Sequence, residues 1–283
     1  MPLDLGPRLH AFVHGLFRQS DAAEVRALYD RVHAMLAEFS IETDAGHNRL
    51  IRHLTERIGA HFGIDAEHGQ FPVIHALVRQ LFAYEGLFEL PEIDWAERRT
   101  IAEWWNLRDE ITEQRQLAED IDSTCDLITT AVITILTPLY AACPALLADE
   151  DRDGITVPTS LVRSIGDIGA VIEDMFGVAF AEECQSLGIF TRLRGRLERN
   201  LVAASGGNPS DVRGFNRAPK LPTQADGSDP EALVGSYLGG TPLSNPFDQT
   251  LSFTIPTSAR FEHHHLVAGS GHGKTQTLQY LIG

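Results

Sequence analysis

The chain has 283 residues, 43% of them apolar, which is enough to bury a full core and excludes a disordered tail. A formal charge of -16 excludes a surface that coats nucleic acid broadly, because such surfaces carry an excess of cations along the phosphate track. Three widely spaced cysteines, Cys125, Cys143 and Cys184, lie in apolar helical patterns; they argue against a disulfide framework and read as buried thiols of a reducing compartment.

The opening Met-Pro-Leu-Asp-Leu-Gly-Pro-Arg has no basic region followed by an apolar stretch, so no secretory signal is expected. From Leu9 to about Asn200 apolar residues recur at three and four positions, and Val25, Leu28, Tyr29, Val32, Met35, Leu36 and Phe39 share one helical face. Ser20 and Asp21, followed by Glu24, read as an N-terminal cap for that helix, and Gly46, Gly63, Gly69 and Pro91 punctuate the next ones. Trp95 to Asp126 has the pattern of one long, half-exposed helix, with the Trp104-Trp105 pair expected to be partly buried.

Leu127 to Ala148 carries no charged residue and is long enough to span a bilayer. Thr129, Thr130, Thr134, Thr137, Pro138 and Pro144 interrupt it, and carboxylates flank it in place of the Lys and Arg that orient membrane helices. A buried helix pair divided at Pro138 is the expectation, and a membrane span through 127–148 the alternative.

Asp149, Asp151 and Asp153 before Gly154 imitate a calcium loop, but position twelve would be Ser160 and not a bidentate Glu, so an acidic turn is favoured. Ala170 to Asp174 resembles an apolar strand ending in carboxylates, although Ile165, Ile168, Ile172, Met175 and Phe176 have helical spacing. Arg192, Arg194, Arg196 and Arg199, with Arg213, Arg217 and Lys220 after them, form the locally basic stretch; contact with DNA or an acidic partner competes with a plain solvated face.

Residues 203–230 turn to Gly, Pro, Ser, Asn and Asp and read as a linker between an all-α region, 1–202, and a second domain over 231–283. In that domain Tyr237 to Pro242 reads as strand-to-turn, Leu251 to Ile255 alternates as a strand, and His265 to Ala268 runs into a glycine loop. His263, His264 and His265 cannot converge on one ion from a strand, where neighbours point to opposite faces. The histidines of the first eighty residues sit among helical charges and receive no chemistry, and no Ser-His-Asp or Cys-His set has interpretable spacing.

Residues 268–275, Ala-Gly-Ser-Gly-His-Gly-Lys-Thr, read as a P-loop. Gly269, Gly271 and Gly273 allow backbone N–H groups to close around a phosphate chain, with Ser270 and His272 between them. The helix expected from Gln276 to Ile282 would present its positive end to the anion. Lys274, one of only two lysines in the chain, would reach the β- and γ-phosphates of ATP, and Thr275 would coordinate the bridging Mg²⁺. An acidic residue at the end of a second strand is also required for hydrolysis, and none follows before Gly283, so the chain reads as the front part of a longer protein.

Phe253-Thr254-Ile255-Pro256, then Arg260-Phe261-Glu262-His263-His264-His265 and the P-loop, resemble the entry to the motor domain of conjugative coupling proteins and FtsK/HerA-type DNA translocases. The resemblance covers residues 237–283, with His272 where that family usually has Ser. It implies an ATP-driven hexameric ring that moves DNA or DNA-protein substrates, and it assigns Gly271, Gly273, Lys274 and Thr275 to phosphate binding. The expected fold class is a mainly α N-terminal region followed by the start of an α/β P-loop NTPase domain. Three functions stand open: a cytoplasmic DNA-translocase motor, a helical adaptor that binds nucleotide or protein without motor activity, and a coupling protein held at the inner membrane through 127–148.

Overall fold

Apolar side chains three and four residues apart draw most of the chain into helices whose stripes face one another. The computed structural model describes the backbone over residues 6–148 and 154–256, and the side chains over 21–148 and 157–251. The first half is α1 (Gly6–Glu38), α2 (Asp44–Phe62), α3 (Phe71–Glu85), α4 (Ile101–Glu119) and α5 (Ile121–Ala142). After β1 (Gly154–Ser160) come α6 (Leu161–Ser164), α7 (Ile168–Val178), α8 (Glu182–Ser186), α9 (Thr191–Ala204), α10 (Pro230–Leu238) and β2 (Thr250–Pro256). α1 packs on α4, α2 on α3 and α5, α5 on α7, and α9 on α3 and α10, and their buried faces merge into one core.

Four local readings of the sequence change. α1 runs without interruption through Ser20 and Asp21, so these residues are helix interior and not a cap. The segment from Trp95 to Asp126 is not one helix. Thr100 starts α4 by accepting from Glu103 N at 3.3 Å while the Glu103 carboxylate accepts from Thr100 N at 2.6 Å, and Asp120 restarts the chain as α5 by accepting from Ser123 N at 3.0 Å.

Pro138 does not divide the uncharged segment. It sits in the last turn of α5, and the carbonyl that loses its partner, four residues back at Thr134, belongs to an exposed residue that water can reach. The break comes instead at Cys143, where Pro144 opens a 3-10 turn over Pro144–Leu147.

Tyr237 to Pro242 is not a strand. Leu233, Val234, Tyr237 and Leu238 are buried at helical spacing, and Asp229 caps α10 by accepting from Ala232 N at 3.0 Å, with Pro230 in the first turn. These side chains join the same hydrophobic core as α2 to α9. Residues 205–221 fold back on the end of α9 through Gly207 N to Val202 O (2.8 Å) and Lys220 N to Ser205 Oγ (2.7 Å). Pro222 then lies against α7, where only Gly169 fits: a Cβ there would stand 2.9 Å from the Pro222 oxygen.

The strand expected over Leu251 to Ile255 is present as β2. Its partner is β1, antiparallel, in a register from Gly154 opposite Pro256 to Ser160 opposite Thr250. β1 has no counterpart among the sequence expectations: it contains Pro158, a residue sheets tolerate at an edge. Ala170 to Asp174 lies inside α7, so it supplies no acidic strand.

Candidate functional site

Every residue of the P-loop reading, Gly269, Ser270, Gly271, His272, Gly273, Lys274, Thr275 and Gln276, lies outside the described residues, as do His263 to His265. What the structure does place is the approach to that loop. Gln249 precedes β2 and anchors it three ways: Oε1 accepts from Gln70 Nε2 at 2.8 Å, Nε2 donates to Pro246 O at 2.7 Å, and its carbonyl accepts from Leu161 N at 3.3 Å. At the same end of the ladder Arg163 pairs with Glu231 at 2.7 Å and the Ser160 hydroxyl donates to that carboxylate, which ties β1 and α6 to α10. The guanidinium beside Glu231 holds its carboxyl below the ordinary value.

Three arginines of α9 reach backbone carbonyls of other segments, while Arg192 and Arg199 remain exposed. Arg192 Nη1 donates to Tyr84 O at 3.3 Å, Arg194 Nη1 to Ala179 O at 2.8 Å and Arg196 Nε to Gly239 O at 3.4 Å. Arg217 donates to Gly206 O at the helix C-terminus, where a cation also suits the dipole. Arg199, Arg213 and the Lys220 ammonium form no ion pair among the described residues. The N-terminus of α9 rests on Glu85 of α3, whose carboxylate accepts from Arg192 N at 2.9 Å and Leu193 N at 2.6 Å. Burial nevertheless raises the Glu85 carboxyl above its ordinary value, against those two donors and the Arg192 charge.

Trp104 and Trp105 part company: Trp104 is 4% exposed and Trp105 54%. Trp104 stacks on Trp95 at 6.2 Å, with Arg99 5.3 Å from the Trp104 ring and Arg26 5.5 Å from the Trp95 ring, so each ring carries a cation from within the chain. All three cysteines are buried and free, as expected. Burial pushes the Cys125 thiol up to about 11 and raises Cys143 and Cys184, which leaves all three as unreactive thiols at neutral pH. Asp149 to Asp153 lie outside the described residues, and Ser160 serves as the turn from β1 into α6.

Sequence reasoning missed one feature. Between α2 and α3 a cleft of about 260 Å³ is lined by Asp44, His47, Asn48, Ile51, Arg79, Phe82, Ala83 and Glu89. Spacing along the chain gives no signal for it, because its two sides belong to different helices. Among the described residues no group of three or more His, Cys, Asp or Glu is arranged to hold a metal ion.

α5 is long and apolar enough to cross a membrane by length and composition, yet half of its apolar window is buried against the rest of the chain. No family model matches this chain, and no curated protein or solved structure matches it either.

Proposed function

We propose that this chain is an ATP-binding P-loop protein, the N-terminal part of an ATP-driven DNA translocase or type IV secretion coupling ATPase that works as a hexamer on the cytoplasmic side. The observation that carries the reading is the run Gly269 to Thr275, with glycines at alternate positions and Lys-Thr at its end. Lys274 neutralises the β- and γ-phosphates of ATP, Thr275 ligates Mg²⁺, and the amides from Gly269 to Gln276 close around the phosphate chain. Gln249, hydrogen-bonded to Gln70, ties the start of β2 to the helical core on the N-terminal side of that run.

A fluorescent ATP analogue titrated into the 283-residue chain with Mg²⁺ tests the proposal. Binding is expected to weaken by at least about tenfold in Lys274→Ala, the loss of one charge-assisted contact, and to lose its Mg²⁺ dependence in Thr275→Ala. Absence of binding by the native sequence, or binding that ignores Lys274, overturns the reading. Binding without any response of the full gene product's hydrolysis to DNA replaces the motor with a nucleotide-binding helical adaptor.

A further inference from the structure

The negative charge of the chain confines any meeting with a polyanion to a local patch, and the segment after α9 builds one. Residues 205–221 carry Arg213, Arg217 and Lys220 against one carboxylate, Asp211, and all four side chains are exposed. Elsewhere many arginines face carboxylates, as Arg52 does Glu56, Arg57 does Asp126, Arg99 does Glu97 and Arg163 does Glu231. Here Asp211 is turned to its own backbone: Oδ1 accepts from Gly214 N at 2.9 Å, and a Cβ on Gly214 would collide with that carboxylate. Asp226, the next carboxylate along the chain, accepts from Ser228 N at 2.9 Å, and the Lys220 charge adds a smaller pull on it.

These cations stand on a fixed loop. Besides the two bonds that fold it back on α9, the Tyr237 hydroxyl donates to Lys220 O at 2.8 Å and Arg217 donates to Gly206 O at 3.3 Å. Phe215 rests one edge against Gly207, where a Cβ would stand 2.6 Å from the ring, and stays half-buried. The Arg217 guanidinium lies 5.8 Å from the centroid of that ring. A partly open aromatic ring between two arginines, with Gly214 beside it, suits an unpaired base that stacks on the ring while its phosphates meet the cations. An acidic peptide would use the cations and leave the ring without a role. In a duplex the bases are already stacked on one another.

We propose that residues 213–220 form a contact surface for single-stranded nucleic acid, in which Arg213, Arg217 and Lys220 meet the phosphates and Phe215 meets a base. The surface uses no residue of the nucleotide run and does not depend on that reading.

The test is the fluorescence anisotropy of a labelled oligothymidylate of about 15 nucleotides titrated with the 283-residue chain. Between about 50 and about 200 mM salt the logarithm of the binding constant should fall against that of the salt with a slope of about −2, the value for three phosphates neutralised on a single strand. Arg213→Gln and Lys220→Gln, whose side chains form no hydrogen bond or ion pair among the described residues, should each remove about 0.7 of that slope. Phe215→Leu keeps an apolar side chain beside Gly207; it should weaken binding at least about fivefold and leave the slope unchanged. Arg98→Gln, which removes an exposed cation from another loop, should change neither. No binding, an unchanged slope in both glutamine variants, tighter binding to the matching duplex, or equal competition by polyglutamate overturns the proposal. Lys274→Ala should leave the anisotropy titration unchanged while it weakens ATP binding, so the two readings fail independently.

Discussion

α5 and α9 are opposites by composition. α5 has no charged residue between Leu127 and its end, whereas α9 carries Arg192, Arg194, Arg196 and Arg199 in a single run. Both turn their polar groups toward backbone carbonyls. In α5 the hydroxyls of Thr129, Thr130, Thr134 and Thr137 each donate to the carbonyl four residues earlier, at 2.7 to 2.9 Å. In α9 three guanidiniums donate to carbonyls of other segments, at Tyr84, Ala179 and Gly239. The work differs: in α5 those carbonyls already accept from the helix ladder and the bond satisfies the hydroxyl, whereas in α9 the guanidiniums reach carbonyls of other segments and tie α9 to them. The two helices differ also in what each buries. α5 contributes apolar bulk to the centre, and α9 contributes a fixed orientation.

That contrast breaks most visibly in α5. Ile135 is fully buried, and Ile135→Ala should cost about 3–4 kcal/mol of unfolding free energy in urea, the usual range for a core cavity. A loss below about 1 kcal/mol would mean that α5 is not a core helix.

In α9 the largest effect should come from a residue outside it. Glu85→Ala leaves the buried amide of Leu193 and the part-buried amide of Arg192 without an acceptor and should cost about 2–3 kcal/mol. The sign of its pH dependence follows from the raised carboxyl. A group held higher in the folded chain than its unfolded value of 4.5 contributes stability that is present in acid and is lost as pH rises through the folded value. Wild type should therefore lose ground against Glu85→Gln as pH climbs from 4.5 through that raised value, measured as the difference between paired urea midpoints. A difference that moves the other way would show that the two amides and Arg192 outweigh burial.

How far the sequence reached depended on range. The helical stripe from Val25 to Leu36, the buried cysteines and the strand at Leu251 to Ile255 follow from spacing alone, because each is set by one segment's own periodicity. Capping and helix ends were harder. Thr100 with Glu103 is a capping box visible in the letters, but the helical pattern on either side of it hid the start of α4. Tyr237-Leu238-Gly239-Gly240 was misread because aromatic and aliphatic pairs before glycine suit a strand end as well as a helix end, and only burial against α9 and α7 decides between them. The Glu85 cap on α9 and the α2–α3 cleft were illegible, since each joins residues that only tertiary packing brings together. For the phosphate loop the position is reversed: its chemistry is written in consecutive letters, and it is the part of the molecule whose reading rests on sequence alone.

A smaller loss is expected where α9 meets α10. Asn200 is buried and its Nδ2 donates to Tyr237 O and Gly239 O, both at 2.9 Å, so it closes the C-terminal end of α10. Asn200→Ala should cost about 1–2 kcal/mol and should speed hydrogen exchange at Leu233 to Tyr237 more than in α5. Uniform acceleration across both helices would mean that α10 does not depend on this contact.

The smallest effect is the most pointed test of α5, because it separates a helix with one buried face from a helix meant for lipid. Thr134 is exposed, and its hydroxyl donates only to Thr130 O, a carbonyl within its own helix. In water Thr134→Ala exchanges a β-branched side chain for the best helix former, so the lost hydrogen bond and the gained propensity nearly cancel, within about 0.5 kcal/mol. Thr134→Lys should be tolerated almost as well if that face meets solvent, since a charge there has water around it. On a lipid-facing surface the same lysine near the middle of a 22-residue span would cost about 2.5–3.5 kcal/mol. A native chain that stays in solution without detergent, with equal thermal midpoints for the native sequence, Thr134→Ala and Thr134→Lys, places that face in water; a native chain recovered only in vesicles, from which the lysine variant alone is excluded, would return α5 to the bilayer.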